Sequence, residues 1–257
     1  MTDIILVGCL GRMGRAVTEA AKEKSAGFNV KYGVDVSFDG RQNADYPVAR
    51  DITEITPDGD EVIVDFSHHS AGKALCGYAA ERHLPIILCT TGYTEDELDC
   101  IRQTSEKTAV FRSGNMSLGI NVLQMLVRQA AKTLGEDFDI EIVEAHHRNK
   151  LDAPSGTALM LADAAKEGME KDAEYVYGRH DRSIKRPKNE IGISSIRGGT
   201  IVGEHEVIFA GPKEVIRLSH TAESREVFAE GALRAAEFMK GRGPGMYSMT
   251  DVINGAL

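Results

Sequence analysis

The stretch Ile4-Ile5-Leu6-Val7-Gly8-Cys9-Leu10-Gly11-Arg12-Met13-Gly14 decides the fold of the first part of this chain. Four apolar residues bounded by a glycine are typical of a strand that is buried on both faces of a parallel sheet. The residues from Met13 to Lys24 have the apolar spacing of an amphipathic helix. We therefore predict a strand, a glycine-rich turn and a helix at the start of the chain.

The three glycines of this turn fit the binding of a dinucleotide. Gly8 turns the chain, Gly11 lets the backbone approach a pyrophosphate, and Gly14 allows the helix to pack closely on the strand. N–H groups at the start of the helix attract the pyrophosphate. The spacing is Gly-x-x-Gly-x-x-Gly rather than the commoner Gly-x-Gly-x-x-Gly, so the pattern alone leaves open a glycine turn of another α/β protein.

Asp35 strengthens the prediction of a nucleotide site. It follows the second predicted strand, Asn29 to Val34, where a carboxylate accepts hydrogen bonds from the ribose of adenosine. The next residue is Val36 rather than arginine or lysine, and a carboxylate repels a 2′-phosphate. We therefore expect NADH to be accepted at least as well as NADPH, with Arg12 offsetting part of the repulsion.

Strands and helices alternate over about the first 110 residues, which implies a parallel sheet with right-handed crossovers. Further strands are predicted at Glu61 to Phe66, Pro85 to Leu88 and Thr108 to Phe111, helices at Ser70 to Arg82 and Thr94 to Lys107, and a loop with an edge strand at Ser37 to Asp51. Ligands of such sheets bind beyond the carboxyl ends of the strands. Cys89-Thr90-Thr91-Gly92 and Ser113-Gly114-Asn115-Met116 follow two of these strands, so we expect them to line the nicotinamide half of the cleft, with Asn115 or a nearby backbone group contacting the carboxamide.

The pattern changes after Asn115. Helices are predicted at Ser117 to Leu134, Ser155 to Gly168 and Ser224 to Lys240, and strands at Asp139 to Ala145, Ile191 to Ile196, Glu206 to Phe209 and Glu214 to Ser219. Successive strands joined by short turns favour an antiparallel or mixed sheet. We predict an α/β protein in which residues 1–116, completed by 225–257, form a dinucleotide-binding domain. Residues 117–224 form a second, smaller α+β domain around a mixed sheet.

The run from Glu144 to Thr157, Glu-Ala-His-His-Arg-Asn-Lys-Leu-Asp-Ala-Pro-Ser-Gly-Thr, concentrates the groups suited to catalysis. Histidine exchanges protons near neutral pH, and lysine adds a compact positive charge. Ser155 is a natural N-cap for the helix that follows, whose first N–H groups attract anions. A proton donor beside a carboxylate-sized pocket suits a reductase of a dicarboxylic acid. Arg148 either touches the substrate or pairs with Glu144 or Asp152.

Composition excludes several other classes of protein. The net charge is −9 with acidic and basic residues interspersed, which argues against a nucleic-acid partner. No apolar run approaches the roughly 18–20 residues that span a bilayer, so no membrane partner is expected. The four cysteines lack zinc spacing, and we expect no metal. The N-terminus enters a strand without a basic leader, which predicts a cytoplasmic protein.

These motifs resemble the 4-hydroxy-tetrahydrodipicolinate (dihydrodipicolinate) reductase family of lysine and diaminopimelate biosynthesis over nearly the whole chain. The similar segments are Gly11–Gly14, Val64–Ser67, Thr90–Gly92, Asn115–Gly119, Glu144–Arg148, Asp152–Ala158, Arg197–Gly199 and Val202–His205. The resemblance implies an NADH- or NADPH-dependent enzyme with a Rossmann domain and a smaller substrate and tetramerisation domain. It also implies a homotetramer and a small dicarboxylate substrate.

Carried over position by position, the resemblance implies that His146 is the catalytic acid/base residue and Lys150 the second proton donor. The implied substrate-binding residues are His147, Gly156 and Thr157. The implied cofactor-binding residues are Gly8, Cys9, Leu10, Gly11, Arg12, Met13, Asp35, Cys89, Thr90, Thr91, Ser113, Gly114, Asn115 and Met116. Two positions depart from the family: Cys89 stands where many relatives have glycine, and Asn149 where a histidine is common.

Two other functions remain open at this point. The first is another two-domain dehydrogenase, acting on an amino-acid semialdehyde or a sugar, although such an enzyme would more often lack the Pro-Ser-Gly-Thr anion site. The second is a non-catalytic sensor of NADH, which would need a surface for a partner. The basic segment from Arg179 to Lys188 is a candidate for that surface but is expected to be a solvated loop.

Overall fold

The computed structural model describes residues 1–24, 27–41, 44–169, 172–180 and 183–255. The chain divides into two compact units, Met1–Ser117 with Arg225–Leu257 (the first unit) and Leu118–Ser224 (the second unit). The strands are β1 (Thr2–Val7), β2 (Phe28–Val34), β3 (Val48–Ala49), β4 (Val62–Asp65), β5 (Ile86–Leu88), β6 (Ala109–Arg112), β7 (Asp139–His146), β8 (Glu174–Tyr177), β9 (Glu190–Arg197), β10 (Gly203–Ala210), β11 (Val215–Ala222) and β12 (Gly245–Tyr247). The helices are α1 (Arg12–Glu23), α2 (Gly72–Arg82), α3 (Glu95–Ser105), α4 (Leu118–Leu134), α5 (Gly156–Met169), α6 (Glu226–Met239) and α7 (Met249–Asn254).

The first unit is built on a parallel sheet whose strand order is β12-β6-β5-β4-β1-β2-β3. Its central strand β1 lies between β2 and β4, and Ile4, Ile5 and Leu6 are completely buried. A continuous apolar run is what a strand covered on both faces requires. The Rossmann-like parallel sheet predicted from the sequence is therefore confirmed.

The described elements match most of the predicted ones to within a few residues. The edge strand expected between Ser37 and Asp51 is β3, paired with β2. The sequence prediction missed β8, β12 and α7. The two strands have only four and three residues, too few for an alternating pattern to stand out from a loop.

The second unit contains a mixed sheet with the strand order β11-β10-β7-β9-β8. Strand β10 is antiparallel to both β7 and β11, whereas β9 is parallel to both β7 and β8. The predicted mixed sheet is therefore confirmed. The parallel pairing of β7 with β9 places His146 opposite Arg197 and Glu144 opposite Ser195, and this register builds the site described below.

Helices α4 and α5 cover one face of the mixed sheet. Ile142, Val207 and Phe209 of the sheet join Val127 and Leu161 of the helices in one buried cluster. On the other face Ile196 and Val215 are about half exposed. Among the described residues, none of the helices combines the length and apolarity that a bilayer crossing demands.

The basic segment from Arg179 to Lys188 is tied to the mixed sheet by ion pairs. Arg179 donates to Glu190 at 2.8 Å, and Arg186 donates to Asp139 at 2.8 Å and to Glu141 at 3.0 Å. Arg182 lies outside the described residues. The guanidinium groups of Arg179 and Arg186 thus neutralise neighbouring carboxylates of this chain.

Candidate active site

A cavity of about 440 Å³ lies at the carboxyl ends of β1, β2 and β4 in the first unit. This edge of a parallel sheet is the usual ligand position. The lining consists of Val7, Gly8, Gly11, Val34, Asp35, Val36, Arg50, Asp51, Ile52, Thr53, Phe66, Ser67, His68, Ala71, Ala74 and Leu75. The cavity therefore brings together three of the predicted cofactor residues: Gly8, Gly11 and Asp35.

The glycine turn forms a narrow cradle that side chains would fill. Gly8 has a φ of +76°, and a Cβ there would lie 2.7 Å from the carbonyl oxygen of Phe66. A Cβ on Gly14 would lie 2.3 Å from the carbonyl oxygen of Gly8. Gly11 is the N-cap of α1 and supplies no side-chain cap, which leaves the first N–H groups of the helix to an anion. The turn thus fits the pyrophosphate of a dinucleotide.

Asp35 braces this turn. Its Oδ2 accepts a hydrogen bond from the Leu10 N–H at 3.0 Å, and its Oδ1 accepts from the Ser37 N–H at 3.0 Å and the Ser37 hydroxyl at 2.6 Å. Burial raises the pKa of Asp35, but these hydrogen bonds outweigh burial and hold it below its ordinary value. The carboxylate is therefore charged and directed at the nucleotide turn.

The remaining predicted cofactor residues lie outside the described lining of this cavity. Arg12 and Met13 form the first turn of α1. Cys9 is buried, and its Sγ lies close to Gly33, since a Cβ added to Gly33 would be only 2.7 Å from that sulfur. The Leu10 N–H binds Asp35. These four residues belong to the glycine turn and the start of α1.

The other predicted cofactor residues follow β5 and β6 at the same edge of the sheet. Asp65 is fully buried at the end of β4. The Cys89 N–H donates to its backbone carbonyl and the Thr90 hydroxyl to its carboxylate, and Thr91 comes next in the chain. In the segment after β6, which includes Gly114 and the buried Met116, the Ser113 hydroxyl donates to the Asn115 carbonyl. The Asn115 side-chain oxygen accepts from the Ser117 N–H, so it supports the backbone that leads into α4.

In the second unit, a buried ion-pair network surrounds His146 at the end of β7. His146 Nδ1 lies 2.6 Å from Glu144 Oε2, and Arg197 contacts both oxygens of Glu144 at 2.7 and 2.8 Å. The Ser155 N–H also donates to Glu144 at 3.2 Å. Glu144 is completely buried and His146 is 8% exposed. The carboxylate therefore fixes the orientation of the imidazole.

The protonation of this network follows from its contacts. Burial raises the pKa of Glu144, but hydrogen bonds from Arg197, Ser195 and His146 bring it down to about 2. Burial lowers the pKa of His146 below its ordinary value, and Glu144 offsets this only in part. Lys150 and Arg197 lower it further. Glu144 is thus an anion at neutral pH, and His146 readily gives up its second proton.

Lys150 and Asp152 lie in the loop that follows β7. Lys150 Nζ is 2.9 Å from the Asp152 carboxylate, and Arg197 donates to the Asp152 carbonyl at 2.6 Å. Burial raises the pKa of Asp152, but the Lys150 hydrogen bond and the Gly156 N–H, among other contacts, hold it below its ordinary value. The two carboxylates considered as partners of Arg148 therefore pair instead with Arg197 and Lys150.

Helix α5 begins directly beside this network. The Ser155 hydroxyl accepts a hydrogen bond from the Ala158 N–H at 3.2 Å, which confirms the predicted N-cap. Thr157 follows Gly156 in the first turn, and a Cβ on Gly156 would meet no atom within 4 Å. Packing therefore does not require glycine at position 156, and open space lies beside this residue on the side where a Cβ would project.

Two further histidines lie near His146: His147 follows it in the chain, and His205 of β10 contacts its ring. His147 is partly exposed, and its carbonyl accepts the Lys150 N–H at 3.1 Å. The ring of His205 packs edge-on against His146 with centroids 5.2 Å apart, and its Nε2 lies 3.1 Å from the Ser155 hydroxyl. Burial, followed by the charge of His146, lowers the pKa of His205 to about 4. His205 is therefore neutral under ordinary conditions.

Family models for the N-terminus and the C-terminus of dihydrodipicolinate reductase match residues 2–116 and 119–253. The chain belongs to the dihydrodipicolinate reductase family. It is 52% identical over 253 residues to the 4-hydroxy-tetrahydrodipicolinate reductase of Caldanaerobacter subterraneus subsp. tengcongensis, a match that covers 98% of both chains. It is 50% identical to that of Clostridium tetani over 99% of this chain and 98% of the relative.

The same family is found among solved structures. The dipicolinate-bound dihydrodipicolinate reductase from Paenisporosarcina sp. TG-14 matches with a TM-score of 0.77 and 22% identity, covering 96% of this chain and 97% of that one. An aspartate dehydrogenase from Thermotoga maritima matches with a TM-score of 0.54 and 12% identity over 94% and 98% of the two chains. These likenesses show a fold shared by the reductase family and by other dehydrogenases.

Several residues of the two sites were not assigned a role from the sequence. Glu144 was considered only as a partner of Arg148, and Arg197 only as part of a family motif. Arg197 is 53 residues from Glu144, and the pairing of β7 with β9 brings them together. Arg50 and His68, to which no role was given from the sequence, line the cavity of the first unit. The available signal was an arginine at the end of a strand: Arg197 is the last residue of β9, and Arg50 directly follows β3.

Proposed function

We propose that this chain reduces 4-hydroxy-tetrahydrodipicolinate to tetrahydrodipicolinate with NADH or NADPH. Loss of water from the substrate leaves a conjugated imine, which takes up one hydride and one proton. The bound nicotinamide supplies the hydride from its C4. The observation that carries the proposal is the buried Glu144–His146 pair beside the N-terminus of α5, where Lys150 and the Gly156 N–H hold a carboxylate, within a chain of the dihydrodipicolinate reductase family.

His146 supplies the proton in this proposal. Its Nδ1 is held by Glu144, so Nε2 is the nitrogen left to face a substrate. A Cβ on Gly203 would lie 3.1 Å from that Nε2, so the glycine keeps the nitrogen accessible. Glu144 balances the charge of the imidazolium, and a dianionic substrate stabilises it further. General acid catalysis of this kind contributes about 10²–10⁴-fold to the rate.

Lys150 and the first turn of α5 bind the substrate carboxylates in this proposal. Lys150 and the Gly156 N–H already meet at one carboxylate, that of Asp152. Donors that hold an aspartate in the free chain have the geometry to hold a substrate carboxylate in its place. The dipole of α5 adds to the attraction, and Thr157 and His147 complete the pocket. The dipicolinate bound to the Paenisporosarcina relative is a dicarboxylate of this kind.

The two units divide the work in this proposal. Residues 1–116 with 225–257 bind the nucleotide, with Arg12, Met13, Thr90, Thr91 and the segment Ser113–Met116 extending the site beyond the described cavity. Residues 117–224 bind the substrate and form a homotetramer through the open face of the mixed sheet. The exposed apolar residues Ile196 and Val215 on that face support this assignment. We place the enzyme in the cytoplasm because the reaction consumes the NADH or NADPH of the metabolic pool.

The proposal is tested by following NADH oxidation with the condensation product of pyruvate and aspartate semialdehyde. We expect the wild-type protein to oxidise NADH, and His146→Ala and Lys150→Ala each to lower kcat by about 10²-fold or more. Both variants should bind NADH as the wild type does. The controls are His180→Ala and Lys213→Ala, two exposed positions of the second unit. No NADH oxidation by the wild type, or an equal loss of NADH affinity in both variants, would refute the assignment.

A further inference from the structure

We propose that Arg50 is the residue that lets this chain accept a 2′-phosphorylated nucleotide, and that it sets the preference between NADPH and NADH. The inference rests on the proposed function and deepens it. The sequence has no basic residue directly after Asp35, where one would be sought. In the structure, a basic residue that follows a different strand, Arg50 after β3, lies near Asp35.

Arg50 reaches the ribose end of the cavity through the pairing of β2 with β3. These strands are parallel with Val34 opposite Ala49, and the Asp35 N–H donates to the Ala49 carbonyl at 3.0 Å. Asp35 and Arg50 therefore leave the sheet side by side at the same edge. Both line the cavity that the glycine turn closes, whereas Arg12 is absent from its described lining.

The guanidinium of Arg50 is weakly held. It is exposed, and its Nη2 donates to the Val36 carbonyl at 3.3 Å, near the long end of the range for N–H···O bonds. A phosphate that replaced this carbonyl would gain two parallel charge-assisted bonds from the guanidinium. Arg50 can therefore turn to a 2′-phosphate at the expense of one weak contact.

The nearby carboxylates are committed to other donors. Asp35 already accepts three hydrogen bonds, from Leu10 and Ser37, which use most of its acceptor positions. Asp51 accepts from the Thr53 N–H at 2.9 Å and the Thr53 hydroxyl at 2.7 Å. These bonds hold Asp35 on the glycine turn and on Ser37, and hold Asp51 on Thr53. Asp35 therefore has about one acceptor position left for a ribose hydroxyl, so it can contribute only part of the usual preference for an unphosphorylated ribose.

The test is calorimetric titration of the full chain with 2′,5′-ADP and with 5′-AMP, which differ by the 2′-phosphate alone. We expect Arg50→Gln to weaken the binding of 2′,5′-ADP about 10- to 100-fold, which corresponds to about 1.4–2.8 kcal/mol. Binding of 5′-AMP should change less than about twofold. Arg50→Lys should retain part of the affinity, because it keeps the charge but loses the planar fork.

Arg82→Gln, at the exposed end of α2, is the control for loss of a positive charge and should leave both affinities unchanged. The difference between Arg50→Gln and the wild type should shrink as salt is raised. An equal loss for the two nucleotides, or no loss for either, would overturn the proposal. Because binding of nucleotide fragments needs no turnover, this result stands apart from the assay with the dicarboxylate substrate.

Discussion

His146 is held in surroundings that disfavour its protonated form until an anion arrives. Burial lowers its pKa, Glu144 raises it, and Lys150 and Arg197 lower it again. Two substrate carboxylates would reverse the effect of the two cations and raise the pKa in the complex. At the scale of one residue, substrate binding should therefore favour the protonated form of His146, which is the form that can donate a proton.

We expect this arrangement to appear in the pH dependence of turnover. An acid catalyst is active while protonated, so activity is lost as pH rises through its pKa. The alkaline limb of kcat/KM, which reports the free enzyme, should therefore lie below the ordinary histidine value of 6.5, and that of kcat should lie at higher pH. Glu144→Gln removes the group that raises the pKa of His146, so it should move both limbs to lower pH and reduce kcat. Steady-state rates between pH 5 and 9 test this, and limbs at the same pH in both profiles would contradict it.

The residues of the candidate site were predictable where they are contiguous in the chain. His146, Lys150, Ser155 and Gly156 fall within one loop and one helix start, and the structure keeps them together. Arg197 and Arg50 reach their sites only through the register of β9 on β7 and of β3 on β2. A strand shifted by one residue would place either side chain on the other face of its sheet. The sequence alone does not determine the register of these strand pairs, so the positions of Arg197 and Arg50 could not be predicted from it.

At the scale of elements, the long buried strands and amphipathic helices were predictable because burial imposes a period on their sequences. Strand β7 alternates, with Ile140, Ile142 and Glu144 on the face that α4 and α5 cover. Glu144 is charged but occupies a buried position of this pattern, because Arg197 and His146 form hydrogen bonds with its carboxylate in the interior. Strands β8 and β12 have too few residues to show a period, and their pairing partners alone define them.

Helix α5 offers a prediction that separates packing from binding. Gly156→Ala places a Cβ in open space at its N-terminus, so the free energy of unfolding should be unchanged or rise by up to about 1 kcal/mol. The same Cβ would occupy the space proposed for the substrate carboxylate, so KM should rise roughly tenfold, which corresponds to about 1.4 kcal/mol. Urea unfolding and steady-state rates measure the two effects.

The matched variant lies near the other end of the same helix. A Cβ on Gly168 would lie 2.3 Å from the Arg128 carbonyl of α4, so Gly168→Ala should destabilise the protein by about 1–3 kcal/mol. A stability loss in Gly156→Ala comparable to that of Gly168→Ala would show that position 156 is a packing position rather than part of a binding site.

At the scale of the whole molecule, the net charge of the protein has the same sign as that of the proposed substrate. The net charge is −9, which disfavours the approach of a dianion at long range. The site opposes this locally with Lys150 and Arg197, whose own counter-charges are Asp152 and Glu144. At physiological salt, interactions beyond about 8 Å are screened, so the local cations decide binding. The overall acidity therefore does not conflict with a dicarboxylate substrate.

The open face of the mixed sheet gives the last prediction, which concerns assembly. Helices cover one face, while Ile196 on the other is 51% exposed and is joined there by Val143, Ile208 and Val215. A second copy of the sheet would bury this apolar surface. For the proposed homotetramer, the wild type should have about four times the 27.9 kDa mass of one chain in light scattering. Ile196→Glu should reduce that mass, because a carboxylate would be buried in the interface without a partner. Leu126→Glu, on a half-exposed residue of α4 on the helical side, is the control and should retain the wild-type mass. A wild-type mass of a single chain, or an Ile196→Glu variant that still has the wild-type mass, would show that this face is not the interface.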